Sequence, residues 1–282
     1  MAVNWFPGHM ARALREIKEH LSMVDVVLET CDARIPESSR NPELNHLIGA
    51  KPRILVLTKT DLADPAVTEE WILLSRRKNL MALACDSTRR SSLTLLIKTI
   101  TDLSQEKTDR ALARGRIFRP VRVMVTGIPN TGKSTLINTL CGRKLVQTAD
   151  KPGVTKQLSW ARSGGRLELL DSPGVLWPQL GQRSNQLHLA ATGAIRDDIL
   201  PLDEIAGETL KEIMQLYPGF VQARYGQLDG TMLPGDLLAA AAAKRGCFMS
   251  GGRVDTARFS ALFLDEFRSG RIGRISLERP AK

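Results

Sequence analysis

The feature that most constrains the fold is a glycine-containing octapeptide at 127–134, Gly-Ile-Pro-Asn-Thr-Gly-Lys-Ser. It follows an apolar run at 121–126 and opens a stretch with helical character at 133–140. In this strand–turn–helix context, backbone amides can close around a phosphate, and the helix N-terminus adds positive potential. A chance match in a glycine-containing turn is the competing interpretation. The motif predicts a nucleotide-binding domain of the α/β class.

The polar residues of this phosphate loop have expected roles. The Lys133 ammonium can neutralise the β- and γ-phosphate oxygens, and the Ser134 hydroxyl can ligate Mg²⁺. Thr131, Gly132 and Thr135 complete the nucleotide contacts that we predict for this segment. Lys133 is assigned to catalysis as well as to binding.

A second motif, Asp-Ser-Pro-Gly at 171–174, ends a predicted strand downstream. There Asp171 could reach Mg²⁺ directly or through water, and the Gly174 amide could contact the γ-phosphate during catalysis. Alone, Asp-x-x-Gly most often marks a simple turn. Between the two motifs, Thr155 is the natural second Mg²⁺ hydroxyl of a switch segment, although it could also be an ordinary loop threonine.

A third motif, Thr-Lys-Thr-Asp at 58–61, is the pattern of a guanine site. The Asp61 carboxylate would accept hydrogen bonds from both N1–H and N2–H of guanine, and the Lys59 stem would cover the purine face. Thr58 stands where Asn is usual, with a hydroxyl but no amide donor. Taken alone, the segment could be a solvated strand end. At the end of the next strand, Asp86 and Ser87 could touch the base edge through the backbone.

The order of these motifs is unusual, because the guanine motif precedes the phosphate loop. Ordinary small GTPases have the opposite order, so the chain is predicted to be circularly permuted. Its strands would be the fourth, fifth, sixth, first, second and third of a conventional GTPase sheet. Strands are predicted at 24–31, 54–58, 81–85, 121–126 and 167–170, with a weaker candidate at 158–162.

Helices are predicted between these strands, and helices alone beyond about residue 180. The predicted spans are 10–21, 67–78, 93–107, 133–140, 186–195, 202–216, 236–244 and 256–267. The polar segment 104–120 is interpreted as the connection created by the permutation. We therefore expect a circularly permuted, mostly parallel P-loop GTPase domain at 1–178 and a smaller all-α domain at 179–282.

The residue after the Asp-x-x-Gly motif is Val175, which cannot orient an attacking water as a glutamine would. Intrinsic hydrolysis should therefore be slow, or the polar group must come from elsewhere. His9 could swing toward the γ-phosphate, or it could be a surface or helix-capping histidine. Asn130 could coordinate a monovalent cation near the phosphates, or it could be a turn residue.

Composition narrows the class of protein further. The net charge of +10 fits either a generally basic surface or a face that binds polyanions, and the segment from residue 268 is rich in arginine. The 4 cysteines form no Cys-x-x-Cys pair, which indicates a reducing compartment. Glu16 and Glu19 argue against a mitochondrial presequence, so the cytoplasm is the expected location. No apolar run is long enough to suggest a membrane span.

Several segments occur in the order found in one family: Trp-Phe-Pro-Gly-His-Met at 5–10, the segment 32–44, the guanine and phosphate motifs, Pro-Gly-Val-Thr-Lys at 152–156, and the stretch 244–252. With them, the chain resembles ribosome biogenesis GTPase A across nearly its whole length. The resemblance implies binding of GTP and Mg²⁺, K⁺ at Asn130, and a catalytic contribution from His9. It also implies action in large-subunit assembly and rRNA binding through the C-terminal helices, with 246–252 facing RNA.

From these observations we expect a GTP-hydrolysing assembly factor for the large ribosomal subunit, slow alone, stimulated by the subunit, and monomeric. Three alternatives stay open. The chain could be an RNA-binding module that its nucleotide merely stabilises, an ATP-using phosphotransferase, or the mitochondrial counterpart of the same factor.

Overall fold

The computed structural model describes residues 7–87, 89–115, 117–143, 159–177 and 180–281; at 7–9 and 90 it describes the backbone only. The predicted switch residue Thr155 and the expected domain boundary between 178 and 179 lie outside these ranges. Among the described residues, no helix combines the length and apolar character that crossing a bilayer requires.

A mostly parallel sheet forms the centre of the N-terminal region. Its strands, as described, are β1 (Val26–Asp32), β2 (Arg53–Thr58), β3 (Met81–Ala84), β4 (Val121–Gly127), β5 (Ser159–Ser163) and β6 (Leu167–Asp171). They lie in the order β3-β2-β1-β4-β6-β5. Neighbours run parallel except β5, which is antiparallel to β6. Each predicted strand is present, with ends that differ by one or two residues.

The sheet order confirms the predicted permutation. From the antiparallel edge, the strands correspond to the second, third, first, fourth, fifth and sixth of a conventional GTPase sheet. The permutation joins the two halves of the domain through β1 and β4, which pair from Val26 opposite Val123 to Thr30 opposite Gly127. Because parallel strands end at one edge, the segments following β1, β2, β3, β4 and β6 meet there.

Helices connect the strands and make up most of the chain after β6. They are α1 (Pro7–Leu21), α2 (Pro42–Ile48), α3 (Pro65–Arg77), α4 (Arg90–Ala113), α5 (Lys133–Cys141), α6 (Arg183–Ala191), α7 (Leu202–Leu216), α8 (Pro218–Tyr225), α9 (Pro234–Lys244) and α10 (Thr256–Arg268). The short α2 and α8 were not predicted from the sequence. Each begins at a proline, where the missing N–H costs no helical hydrogen bond.

The connection predicted at 104–120 is partly helical. Residues 104–113 are the last turns of α4, a helix that the sequence predicted to end at 107. Polar side chains in these turns are compatible with a helix because they lie on its solvent side: Lys107 reaches Asp25, and Arg110 pairs with Glu106. Polarity alone therefore placed the end of this helix too early.

Apolar side chains fill both faces of the sheet. On one face, α4 and α5 pack through residues such as Leu96 and Leu136. On the other face, one continuous buried cluster includes Ile17 of α1, Val27 of β1 and Leu210 of α7. The C-terminal helices thus share a core with the sheet, and the nucleotide motifs lie close to the helical region.

Candidate functional site

Two glycines shape the phosphate loop between β4 and α5. Gly127 has a φ of 148°, and Gly132 lies in the left-handed region with a φ of 79°. A Cβ on Gly127 would lie 2.5 Å from the carbonyl oxygen of Thr30 in β1. A residue larger than glycine at position 127 would therefore push the phosphate loop away from β1.

Lys133 lies buried at the base of this loop, with 6% of its surface exposed. Its Nζ donates a 2.7 Å hydrogen bond to the carbonyl oxygen of Ile128. Burial lowers the pKa of Lys133 to about 8; the carboxylate of Asp171 opposes this effect, and the charge of Lys59 adds to it. A phosphate beside Nζ would stabilise the charged ammonium, because an opposite charge nearby raises a lysine pKa.

The end of β6 lies against the same loop. Asp171 is fully buried, and the next residue, Ser172, donates from its Oγ to the carbonyl oxygen of Val125 at 3.0 Å. A Cβ on Gly174 would lie 3.0 Å from Lys133 Nζ. The fold thus places the Asp-x-x-Gly motif beside the lysine of the phosphate loop, although the two motifs are far apart in the sequence.

The guanine motif reaches the phosphate loop through its first residue. Thr58 is fully buried, and its Oγ1 lies 2.7 Å from the carbonyl oxygen of Thr131 and 2.9 Å from that of Cys31. Asp61 lies three positions further along and is exposed at the loop after β2. The reversed order along the chain therefore ends in direct contact between the two motifs.

Lys59, the second residue of the guanine motif, belongs to a buried ion-pair network that sequence analysis missed. Its Nζ lies 3.1 Å from Oδ2 of Asp32, which also pairs with Arg34 at 2.7 Å. Burial disfavours a charged Asp32, but the charges of Arg34 and Lys59 hold the pKa of this carboxyl well below its usual range. Arg34 also lies over the ring of Phe267 in α10, 5.2 Å from its centroid.

The segment after β3 joins the same edge of the sheet. The hydroxyl of Thr139 in α5 donates to the carbonyl oxygen of Ser87 at 2.7 Å. Asp86, the neighbouring residue, pairs with Arg89 at 3.0 Å. The predicted base-edge loop is therefore attached to the helix that begins at the phosphate loop.

The remaining residues of the phosphate loop face different surroundings. The Thr131 hydroxyl is 2.7 Å from that of Thr30 in β1 and donates to the Ile128 carbonyl. This side chain therefore stabilises the loop through contacts with β1 and with the loop's own backbone. Ser134 is half-buried, and Thr135 is exposed on the first turn of α5.

Asn130 connects the loop to the C-terminal helices. It has a positive φ of 59°, and its Nδ2 donates to the carbonyl oxygen of Gly193 at 2.6 Å. Gly193 follows α6 and lies next to Arg268, the last residue of α10. The side-chain amide of Asn130 thus contacts the C-terminal helical region. Its expected role near the phosphates did not predict this contact.

Val175 has a structural role after the Asp-x-x-Gly motif. It is 1% exposed, its N–H donates to the Gly127 carbonyl at 3.3 Å, and its carbonyl accepts from Asn41 at 2.9 Å. Asn41 also caps α2, accepting from the Glu43 amide. The helix-capping pattern Asn-Pro-Glu was the available signal for Asn41, but nothing local indicated its distant partner.

His9 belongs to the first turns of α1, and its side chain lies outside what the structure describes. No group of three or more His, Cys, Asp or Glu side chains suited to a metal occurs in the described part of the chain.

Comparison with known proteins identifies the family. Residues 122–215 match the family described as 50S ribosome-binding GTPase. Ribosome biogenesis GTPase A of Priestia megaterium is 41% identical over 286 residues, covering 100% of this chain and 98% of the relative. The chain belongs to the ribosome biogenesis GTPase A family.

Solved structures of similar proteins share the fold. GDP-bound YlqF superposes with a TM-score of 0.69 at 24% identity, covering 94% of this chain and 99% of the other. GNP-bound YlqF from T. maritima gives 0.65 at 25% identity, covering 96% and 99%. Membership of the ribosome biogenesis GTPase A family confirms the predicted fold class and identifies the chain as a GTPase that binds guanine nucleotides.

Proposed function

We propose that this GTPase acts in assembly of the large ribosomal subunit, binding rRNA or the pre-subunit in a nucleotide-dependent way. The observation that carries the proposal is the hydrogen bond between Thr58 and the Thr131 carbonyl, which joins the guanine motif to the phosphate loop. The named relatives supply the ribosomal context. For the oligomeric state and the location of the protein, we still predict a monomer in the cytoplasm.

The base would bind on the guanine-motif side of the site. Asp61 would accept the N1–H and N2–H hydrogens of guanine, and the Lys59 stem would cover the purine. Lys59 is suited to this because Asp32 fixes its ammonium at 3.1 Å. Asp86 and Ser87 would approach the base edge from the segment after β3.

The phosphates would bind between the loop and the end of β6. Backbone amides of residues 130–135 would surround the β-phosphate, and Lys133 would neutralise oxygens on the β- and γ-phosphates. Gly174 would contact the γ-phosphate, since its backbone already lies beside Lys133 Nζ. Contacts that become stronger as negative charge develops in the transition state would lower the activation barrier to GTP hydrolysis.

The residues present fit Mg²⁺. This ion prefers oxygen ligands and is usually held by few protein groups together with nucleotide phosphates. The Ser134 hydroxyl and the buried Asp171 carboxylate supply such oxygens, with Thr155 as the expected second hydroxyl. Bound there, Mg²⁺ would neutralise phosphate charge. Asn130 is the proposed K⁺ ligand, supported only by the family resemblance.

Positioning of the attacking water requires a residue other than Val175. That side chain is apolar and buried, so it offers no hydrogen bond to water. We assign this role to His9, as the resemblance implies. A histidine that must be brought into place explains why turnover would be slow until a ribosomal particle binds.

The helical region, proposed as a domain at 179–282, would respond to the nucleotide through two contacts. Asn130 in the phosphate loop donates to Gly193, and Arg34, linked through Asp32 to Lys59, lies over Phe267. The γ-phosphate contact at Gly174 lies a few residues before α6. Loss of the γ-phosphate would thus change contacts at both ends of this region.

A basic hairpin in the helical region is suited to RNA. Phe248 bridges to Val254, and Met249 N donates to the Arg253 carbonyl at 2.8 Å. Phe248 is 48% exposed, and the exposed cations Lys244 and Arg253 precede and follow it in the sequence. Exposed aromatic rings stack on unpaired bases, while cations contact phosphates.

We expect GTP turnover to rise about tenfold or more when large-subunit precursors are added, because binding would complete a site that lacks a polar residue at Val175. Phosphate release is measured with precursors, with small-subunit particles and with protein alone, in potassium and in sodium. His9→Ala should lower only the stimulated rate, while His46→Ala, at an exposed position of α2, should leave both rates unchanged. Equal rates with and without precursors would contradict the proposal.

We expect Phe248→Ala to weaken binding to large-subunit precursors by roughly tenfold, since stacking on a base contributes about 1–3 kcal/mol. Binding is titrated with protein carrying GDP or a non-hydrolysable GTP analogue, and the analogue state should bind more tightly. Ile199→Ala, at a residue 48% exposed elsewhere in the helical region, is the control. Unchanged affinity of Phe248→Ala removes the hairpin from the interface, and equal affinity in both nucleotide states removes the switch.

A further inference from the structure

The loop that carries Asp61 is bonded to the end of the chain. We call residues 60–64 the specificity loop and residues 270–278 the C-terminal segment. Arg274 donates from Nη2 to the carbonyl of Thr60 at 2.6 Å and from Nε to that of Ala63 at 2.9 Å. The Ile275 amide donates to the Leu62 carbonyl at 3.0 Å. The three contacts, at residues 60, 62 and 63, thus lie on both sides of Asp61.

The following residue fixes the end of the same loop. The Asp64 amide donates to Oγ of Ser276 at 3.2 Å. The hydroxyl of Tyr217 in α7 donates to Oδ2 of Asp64 or the Ser276 carbonyl, at 3.1 and 3.2 Å. A Cβ on Gly270 would lie 2.8 Å from the Leu62 side chain. The specificity loop therefore packs along the C-terminal segment over its whole length.

The C-terminal segment is itself firmly placed. Ile275 and Ser276 are fully buried, and the Leu277 amide donates to the Arg34 carbonyl at 2.9 Å. The Glu278 carboxylate accepts from the Ser38 amide and contacts His188 at 2.9 Å. Burial disfavours a charged His188, but hydrogen bonds with Glu212 and Glu278 raise its pKa to about 9. His188 is consequently charged at neutral pH and attaches the segment to α6 and α7.

The specificity loop is held mainly by neighbouring segments. At its start, the Leu62 amide donates to the Lys59 carbonyl at 2.9 Å, and Lys59 has a positive φ of 54°. At its end, Asp64 caps α3 by accepting from the Ala66 amide at 2.9 Å. The carbonyls of Thr60, Leu62 and Ala63 bond instead to partners in the C-terminal segment. The conformation of a loop is set by the groups that satisfy its backbone, and here these lie 211 or more positions away.

We propose that Arg274 is a positioning residue for base recognition: by fixing the Thr60 and Ala63 carbonyls, it orients the Asp61 carboxylate toward guanine. This inference rests on the proposed role of Asp61. Linkage then requires that guanine binding and docking of the C-terminal segment stabilise each other. The end of the chain is thereby part of what distinguishes guanine from other purines.

The test compares Arg274→Ala, Arg274→Lys and Arg271→Ala. Arg271 belongs to the same segment but pairs with Asp265 at the surface, so its removal is a matched loss of charge. Dissociation constants are measured for GDP and for inosine diphosphate, which lacks the 2-amino group that Asp61 would bind. The ratio of these constants reports the placement of Asp61, whereas a merely structural effect would weaken both nucleotides alike.

We expect Arg274→Ala to raise the GDP dissociation constant about tenfold and to bring the ratio toward one, because two hydrogen bonds from a cation are lost. Arg274→Lys should restore part of the preference, and Arg271→Ala should match the parental protein. A parental ratio in Arg274→Ala would overturn the inference. Asp61→Asn in the same assay separates the two proposals: if it keeps the preference for GDP, the proposed base site itself is wrong.

A second measurement needs no variant. Amide hydrogen exchange is followed at 271–278 with and without GDP. The Ile275 amide, bonded to Leu62, should exchange several-fold more slowly with GDP bound, because the two binding events stabilise each other. Equal exchange in the two states would overturn the coupling even if Arg274→Ala failed to fold.

Discussion

Asp61→Asn should convert the guanine site into a xanthine site. The asparagine amide would donate a hydrogen bond to the 2-oxo group of xanthine. In guanine the same amide would face the 2-amino group, so that two donors would oppose each other. Loss of a charged, two-point hydrogen bond is expected to raise the GDP dissociation constant about a hundredfold, with a gain in affinity for xanthosine diphosphate. Titration with fluorescent GDP and competition by xanthosine diphosphate measure both effects.

The control for this experiment removes a similar charge away from the site. Asp102→Asn changes an exposed carboxylate of α4 that pairs with Lys98, and it should leave both affinities unchanged. Retained guanine selectivity in Asp61→Asn would remove the segment 58–61 from the nucleotide site. The same titration with ATP should give weaker binding than with guanine nucleotides, since Asp61 offers adenine only acceptors.

Arg34→Ala should lower the free energy of unfolding by about 3–5 kcal/mol. Arg34 is 1% exposed and bonds Asp32 through Nε at 2.9 Å and Nη2 at 2.7 Å. Removing the guanidinium leaves the buried Asp32 carboxylate with the Lys59 ammonium and the backbone amide of residue 34, and it removes the contact with Phe267. Urea unfolding followed by circular dichroism measures the loss.

The pH dependence of stability gives a second readout of this pair. Because the pKa of Asp32 is lowered in the folded state, its stabilising effect is complete above the unfolded value of about 3.9 and disappears as pH falls toward the folded pKa. The difference between parental protein and Arg34→Ala should therefore shrink in acid. Arg12→Ala, which breaks an exposed pair with Glu16, should change stability by less than about 1 kcal/mol. An equally small effect of Arg34→Ala would show that the pair is not structural.

Sequence analysis predicted those parts of the site that short motifs encode. The residues near Lys133, Thr58 and Gly174 follow strands with clear apolar patterns, and parallel strands must end at one edge. Thr58 looked like a weakened motif because it lacks an amide donor. Its hydroxyl nevertheless reaches the Thr131 carbonyl at 2.7 Å, a contact that depends on the distance between two strands and not on local sequence.

The parts that sequence analysis missed depend on contacts between distant residues. Neither α2 nor the capping role of Asn41 was predicted, and the bond from Asn41 to Val175 spans 134 positions. The arginines after residue 268 suggested a polyanion-binding end, whereas Arg274 bonds the specificity loop and Arg268 pairs with Asp197 at 2.7 Å. Charge counts record how many cations a segment has but not which carbonyls or carboxylates they meet.

The position of the C-terminal segment has a consequence for biosynthesis. A nascent chain emerges from its N-terminus, so the half of the sheet carrying the guanine motif is made first and the phosphate loop later. The carbonyls of Thr60 and Ala63 meet Arg274 only after the chain has been translated through residue 274. Chains truncated between the phosphate loop and Arg274 would then retain that loop but lack the support for Asp61. Tight capture of nucleotide would thus begin only once the C-terminal segment has been made and has folded onto the specificity loop.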